Sequence, residues 1–430
     1  MERFFQLKEN NTNVKREILA GITTFMTMAY ILVVNPIILS AAGMEPGAVF
    51  TATALAAIVA TVVMALYAKL PFALAPGMGL NAFFAFTIVK QMGYSFEFAL
   101  TAVFLEGIIF ILLTLLNVRE AIVDSIPNNL KKSISVGIGL FIAFVGLSNA
   151  GIIVHPEGGT IVALGDVTTG TAALGIIGIL ITAVLLVKNV KGALLIGIVV
   201  TTIIGIPMGI TELPKAIISA PPSLEPVLFK FQWDNVFSLD MAIVLFTILF
   251  MNIFDTVGTL VGVATKAKML DKDGKVPNIK RAMFADAVGT TVAGCLGTST
   301  VVTFVESASG VSEGGRTGLT ALSTAAMFAI ALFFSPIFAI IPSAATAPAL
   351  VLVGLFMLEP IKEIDLANFT EGIPAFLTII MMPLAYSISE GIVFGMVSYV
   401  FLKALTGKAK EVSMATYIIA AFFILKFFIH

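Results

Sequence analysis

Residues 71–86 read PFALAPGMGLNAFFAF. Pro71 and Pro76 bracket a short extended stretch, and Gly77-Met78-Gly79 then opens a half-helix that carries Asn81. This cannot be an ordinary lipid-facing helix, because proline removes a backbone donor and hydrocarbon offers the freed carbonyls no partner. A second stretch of the same kind, GTSTVVTFVESASGVSEGG, occupies residues 297–315. Its β-branched run from Ser299 to Val305 is followed by Glu306-Ser307 at the start of another half-helix. Two short strands laid side by side would satisfy each other's backbone groups. Paired broken spans of this type mark the place where a transporter holds its ligand near the middle of the bilayer.

The surroundings of both stretches are membrane-spanning. Apolar residues make up 58% of the 430 and charged residues 12%, against roughly a quarter charged in a soluble domain. Apolar stretches such as 52–68 and 98–116 recur along nearly the whole chain, each able to cross a hydrocarbon core of about 30 Å. The polar loop from Lys266 to Lys280 and the proline-rich connector within Ile210 to Asp240 are too short to hold a catalytic domain. A net charge of −1 without a clustered basic face gives nucleic acid no surface. One cysteine, Cys295, excludes an intrachain disulfide, and His155 and His430 are too few and too distant for zinc, so no metal and no cofactor are expected. With no intramembrane histidine and no nucleophile beside a base, an enzyme is not expected either. The first apolar segment, after Lys15 and Arg16, lacks a cleavage pattern and reads as a retained span.

Fourteen spans fit the chain, which predicts an all-α polytopic membrane protein. Arg3, Lys8, Lys15, Arg16, Lys69, Arg119, Lys131, Lys132, Lys188, Lys191, six basic residues between Lys266 and Arg281, then Arg316, Lys362, Lys403, Lys408 and Lys410 all fall on one side. The opposite loops hold only Lys90, Lys215 and Lys230. The basic side is cytoplasmic by the usual bias, which places the N-terminus in the cytoplasm and the protein in the cytoplasmic membrane. The apolar tail from Met414 to Ile429 is either a further short span or an interfacial helix.

The two halves echo each other in order. Glu17 corresponds to Asp240, Pro71 to Thr298, Ile126-Pro127 with Gly139-Leu140-Phe141 to Ile341-Pro342 with Gly354-Leu355-Phe356, and Lys191-Gly192 to Glu390-Gly391. Residues 1–210 are thus read as a first repeat of seven spans, 211–237 as a connector, 238–410 as a second repeat and 411–430 as the tail. An odd-numbered repeat sets its two copies upside down relative to each other, and this 7+7 inverted repeat is a framework for alternating access.

Candidate site residues follow from the two breaks and one span. Asp255, in IFDTVGTLVG (253–262), lies mid-span, where an ionisable side chain is costly and usually functional or paired. Helical spacing groups it with Asn252 and Thr259. Glu306 at a half-helix start presents acceptor oxygens to a ligand rich in N–H donors, although acidic residues also serve simply as helix caps. Glu106 and Asp286 also lie inside apolar segments, where a bond to a neighbouring helix is at least as apt as a ligand role. No Lys or Arg balances this acidity at mid-membrane, which suits a neutral, donor-rich ring plus a proton better than an anion.

The motifs YILVVNP (30–36), GMGLNAFF (77–84), FDTVGTL (254–260) and TFVESASGVSEGGRTGLTAL (303–322) resemble, in order and spacing, the nucleobase-ascorbate type permeases, specifically their AzgA-like purine branch. The resemblance implies 14 spans divided into a core domain that holds the substrate and a gate domain that mediates homodimerisation. It implies proton-coupled uptake of guanine or hypoxanthine, with adenine in some members. Carried over by position, Asp255 and Glu306 match the substrate-binding carboxyls, with Asn81, Gly79, Phe304 and Ser307 as further site positions. Phe304 stands where tyrosine is common, which puts any hydrogen bond from that position in doubt. Asp255 and Glu306 are the proton-coupling candidates. Guanine's adjacent N1–H and 2-amino group would suit one carboxylate in bidentate fashion, whereas hypoxanthine offers N1–H alone. Phe83, Phe84 and Phe304 could flank a ring, although in so phenylalanine-rich a chain lipid contact is the default for any one of them. The competing readings are another nucleobase permease and an anion transporter of the same architecture.

Overall fold

In the computed structural model the two broken stretches meet. Strand β1 (Leu74–Pro76) pairs antiparallel with β4 (Val301–Thr303), setting Leu74 opposite Thr303, Ala75 opposite Val302 and Pro76 opposite Val301. The intervening strands β2 (Ile153–Val154) and β3 (Ala163–Leu164) form a separate hairpin. The structure describes residues 2, 4–116, 127–156, 161–214, 216–266, 269 and 276–429. Arg3, Arg119, Ile126, Lys215, His430 and most of the loop between Lys266 and Val276 lie outside the described residues.

A two-stranded ribbon inside a membrane protein has two edges whose backbone groups need partners. Gly77 N–H donates to Thr300 O at 3.0 Å and Phe304 N–H to Ala73 O at 2.9 Å, which extends the ladder past both strand ends. On one edge Leu74 N–H donates to Thr61 Oγ1 at 2.9 Å, and the Thr61 hydroxyl donates back to Leu74 O at 3.1 Å. On the other, the Thr290 hydroxyl donates to Val301 O at 3.1 Å. Pro76 has no N–H to leave unpaired. Thr61→Val should therefore strand both Leu74 groups in a buried site, at a cost of about 1–3 kcal/mol. Thermal unfolding of the detergent-extracted protein should show a lowered midpoint for Thr61→Val and a near-normal one for Thr61→Ser; equal midpoints for the two would refute this role.

The helices are α1 (Val14–Met28), α2 (Ile31–Ser40), α3 (Pro46–Val63), α4 (Met78–Ala82), α5 (Phe96–Leu116), α6 (Asn128–Asn149), α7 (Gly170–Val187) and α8 (Ala193–Gly205). After the connector come α9 (Leu239–Lys266), α10 (Ile279–Leu296), α11 (Ser307–Ser312), α12 (Gly318–Ala331), α13 (Ser335–Ala339), α14 (Ser343–Met357), α15 (Phe369–Leu384), α16 (Ile388–Leu405) and α17 (Met414–Ile429). Among the described residues, 8 helical stretches are long and apolar enough to cross a membrane. Other elements counted as spans from the sequence fall short on length, as α8, α11 and α15 do, or carry more charge, as α10 does with Lys280, Arg281 and Asp286. Helix α17, at 16 residues, is about 24 Å long, short of a straight crossing of a core of about 30 Å.

The chain forms two compact units, 1–115 with 147–349 and 116–146 with 350–430. Each takes segments from both sequence halves, so the units interleave the halves rather than follow them. In the first unit, small residues let helices close to backbone contact: a Cβ on Gly318 would lie 2.0 Å from Ala65 O, and one on Gly107 2.5 Å from Thr291 N. In the second, α6 and α14 approach at Gly139 and Gly354, where a Cβ on either would meet the other's carbonyl oxygen within 2.6 Å. There too Lys403, nearly buried, is held by Glu371 at 2.8 Å and by Glu411.

Candidate functional site

All six site residues read from the sequence lie in the first unit, around the ribbon. The site begins at Ala29-Tyr30, the turn between α1 and α2. Val33 and Val34 N–H both donate to Tyr30 O there, and Tyr30, 1% exposed, points its ring into the protein. Its hydroxyl donates to Glu306 Oε1 at 2.7 Å. Glu306 stands just before α11 and makes no side-chain cap bond to that helix. The side chain therefore does not cap α11, and its carboxyl instead accepts from a phenol 276 residues away in sequence.

Phe304 is 5% exposed, and its ring centroid lies 6.5 Å from that of Tyr30, tilted by 44°. The hydroxyl beside Glu306 comes from the α1–α2 turn and not from residue 304. Asp255, half-buried on α9, is close enough to Glu306 and Tyr30 to interact electrostatically with both. Two carboxyls, a phenol and a phenylalanine ring therefore face one region beside β4.

Asn81 and Gly79 are buried in α4, which follows β1. The Ser299 hydroxyl donates to Asn81 Oδ1, and Asn81 Nδ2 is buried without a partner among the described residues. That arrangement leaves the amide group presenting donors. Ser307 is fully buried, and its Oγ accepts from Ala73 N–H at 3.0 Å, tying the half-helix to the residue just before β1. Its oxygen is thus engaged by the backbone. Phe83 and Phe84, each 1% exposed, pack inside the protein, so lipid contact is not their role. The physical reason is local: the half-helix after β1 is enclosed on all sides and has no lipid face.

A second polar group of residues lies alongside. Glu106 Oε1 accepts from Asn252 Nδ2 at 2.7 Å and Oε2 from the Thr300 hydroxyl at 2.8 Å. The Thr256 hydroxyl approaches both Asn252 Oδ1, at 3.2 Å, and Asp286 Oδ2. All five are buried. This is the helix-to-helix bonding expected of Glu106 and Asp286, and it links α5, α9 and α10 to the residue that leads into β4. It also divides α9: Asn252, which helical spacing grouped with Asp255, is engaged with Glu106 instead. The sequence marked Tyr30 only as the first residue of the YILVVNP motif and assigned it no role in the site.

Residues 15–394 match the Xan_ur_permease model, described as a permease family. The chain belongs to that family. The guanine/hypoxanthine permease PbuG of Bacillus subtilis is 45% identical over 99% of this chain and 99% of its own. The adenine permease AdeP of Escherichia coli is 43% identical over 99% and 95%. The likeness to nucleobase permeases read from four motifs thus extends over the whole chain, which is a multi-pass membrane protein. The transmembrane domain of a cyanobacterium bicarbonate transporter, BicA, shares the fold at a TM-score of 0.67, covering 89% of this chain and 97% of its own with 18% identity. Two permeases named for different substrates stand at nearly equal identity, so overall similarity does not choose between them.

Proposed function

We propose that this chain is a proton-coupled secondary transporter that imports purine nucleobases, guanine or hypoxanthine, across the cytoplasmic membrane. The observation that carries the reading is the carboxyl of Glu306, turned off its helix and braced by Tyr30 beside Asp255 and Phe304. Such a group accepts from ring N–H donors, and the neighbouring aromatic gives the ring a face. Asn81 offers amide donors to a purine's ring nitrogens or oxygen. Asp255, with no cation beside it among the described residues, is the group proposed to take up and release the proton that accompanies the base; Glu306 is the other candidate. The percentages of identity to PbuG and AdeP support a purine, and adenine is the second reading because of AdeP. An anion such as the bicarbonate named for BicA would meet two carboxyls here.

The same reading includes 14 spans in two inverted repeats, with the first compact unit holding the substrate core, the second belonging to the gate, a homodimer, and a cytoplasmic N-terminus. Internal symmetry supports the repeat. Glu17 accepts from the Thr317 hydroxyl, and its counterpart Asp240 accepts from the hydroxyl of Tyr94, at the same sequence offset. Burial and the Asp240 carboxyl push the Tyr94 phenol up to about 12, so it remains a donor at physiological pH. The contact between Gly139 and Gly354, matched residues of the two halves, is of the kind a pseudo-twofold axis produces.

Uptake of radiolabelled hypoxanthine by cells lacking their own purine permeases tests the proposal, with unlabelled guanine, adenine, xanthine and uracil as competitors and a protonophore in parallel. Protonophore-sensitive uptake blocked by guanine but not by uracil is the expected result. No uptake of any base by protein shown to be in the membrane would overturn it.

A further inference from the structure

The geometry points to Tyr30 as a specificity-determining residue: by donating to Glu306 Oε1 it leaves Oε2 as the oxygen that the phenol does not engage, so the site favours a purine with one N–H on that edge over one with two. This rests on the proposal above that Glu306 receives the base. A carboxylate pairs with two adjacent donors by offering one oxygen to each. Here Oε1 already accepts from the Tyr30 hydroxyl at 2.7 Å, and a second ligand donor has to share that oxygen with the phenol. Hypoxanthine presents N1–H alone and adenine a single amino group beside an acceptor nitrogen, whereas guanine presents N1–H and its 2-amino group together.

The phenol is not free to step aside. Tyr30 is 1% exposed and lies against Phe304, and its own carbonyl accepts from the amides of Val33 and Val34 in the first turn of α2. Tyr30 acts through Glu306 and is a positioning residue, one whose removal changes which bases are accepted and not only how much protein folds.

The test is hypoxanthine uptake with guanine as competitor, by wild-type protein and by Tyr30→Phe at equal amounts in the membrane. In the wild type, guanine should compete no better than hypoxanthine itself. In Tyr30→Phe the oxygen is released, and guanine should gain on hypoxanthine by about fivefold, the effect of relieving one shared hydrogen bond. An unchanged ratio at equal protein would overturn the assignment, since a role confined to packing would move both bases alike. If Tyr30→Phe does not reach the membrane, the wild type still decides: guanine binding tenfold or more tightly than hypoxanthine, about the worth of a full second hydrogen bond, would overturn it, and parity or weaker would uphold it. Absence of uptake of every base by the wild type would instead remove the purine reading itself.

Discussion

Glu306→Gln should reduce hypoxanthine uptake by at least about 100-fold while leaving the amount of folded protein near normal. The substitution keeps shape and volume, and the Tyr30 hydroxyl that donates to Glu306 Oε1 at 2.7 Å can donate equally to an amide oxygen. With the oxygen held there, the amide nitrogen takes the place of Oε2 and turns a donor toward a ligand edge that is itself a donor. The loss then has two parts. A hydrogen bond to a charged acceptor is worth about 1.5–3 kcal/mol, and a donor facing a donor leaves both unsatisfied in a site of low dielectric, which adds a similar amount. Uptake within a few-fold of the wild type would show that Glu306 is not the acceptor of the base. Asp255→Asn separates the two carboxyls. If Asp255 carries the proton, exchange of labelled for unlabelled base should survive the change while net accumulation against a gradient is lost; loss of both would place Asp255 in ligand binding.

The legible parts of the site were those that break a membrane rule. Prolines and glycines at 71–79, a β-branched run at 299–305 and a carboxyl at mid-span each contradict a plain apolar helix, and the structure resolves the first two by pairing Leu74–Pro76 with Val301–Thr303. Tyr30 breaks no such rule. Its role arises from a partner far away in sequence, reached because a turn between two helices aims the ring at the second broken segment. The partners of the residues on α9 were not legible for a related reason. Positions 252, 255 and 259 share one side by angle, but 252 and 256 are also a turn apart, and the neighbours decide. Glu106 and Asp286 draw Asn252 and Thr256 to their side, leaving Asp255 toward Glu306. Spans were harder to count than to detect, because a broken span divides its length between strand and half-helix and neither piece is long.

The Glu17 carboxyl predicts the largest effect on stability. Sequence symmetry marked it only as the polar start of a span, whereas the structure buries it completely against the start of α12. Its oxygens accept from the amides of Arg316 (2.9 Å), Thr317 (3.2 Å) and Thr320 (3.1 Å), and from the hydroxyls of Thr317 (2.8 Å) and Thr320 (2.6 Å). The first amides of a helix have no partner within it and carry partial positive charge, so an acidic side chain from another helix both satisfies and neutralises them. The backbones are close enough to make this contact because residue 21 is glycine: a Cβ there would stand 2.5 Å from Thr320 O. Glu17→Ala removes the acceptor of the Arg316 and Thr317 amides and of both threonine hydroxyls at once, leaving the Thr320 amide only Thr317 O, at about 3–5 kcal/mol. That is a large share of the 5–15 kcal/mol typical of a folded domain, and very little Glu17→Ala protein should be recovered folded from membranes. Glu17→Gln keeps one acceptor oxygen but puts a donor among donors, so it should fall between wild type and Ala in thermal midpoint. Recovery and midpoint of Glu17→Ala equal to wild type would mean that α12 finds other partners for its first amides, and that the α1–α12 contact rests on the close packing at Gly21 alone.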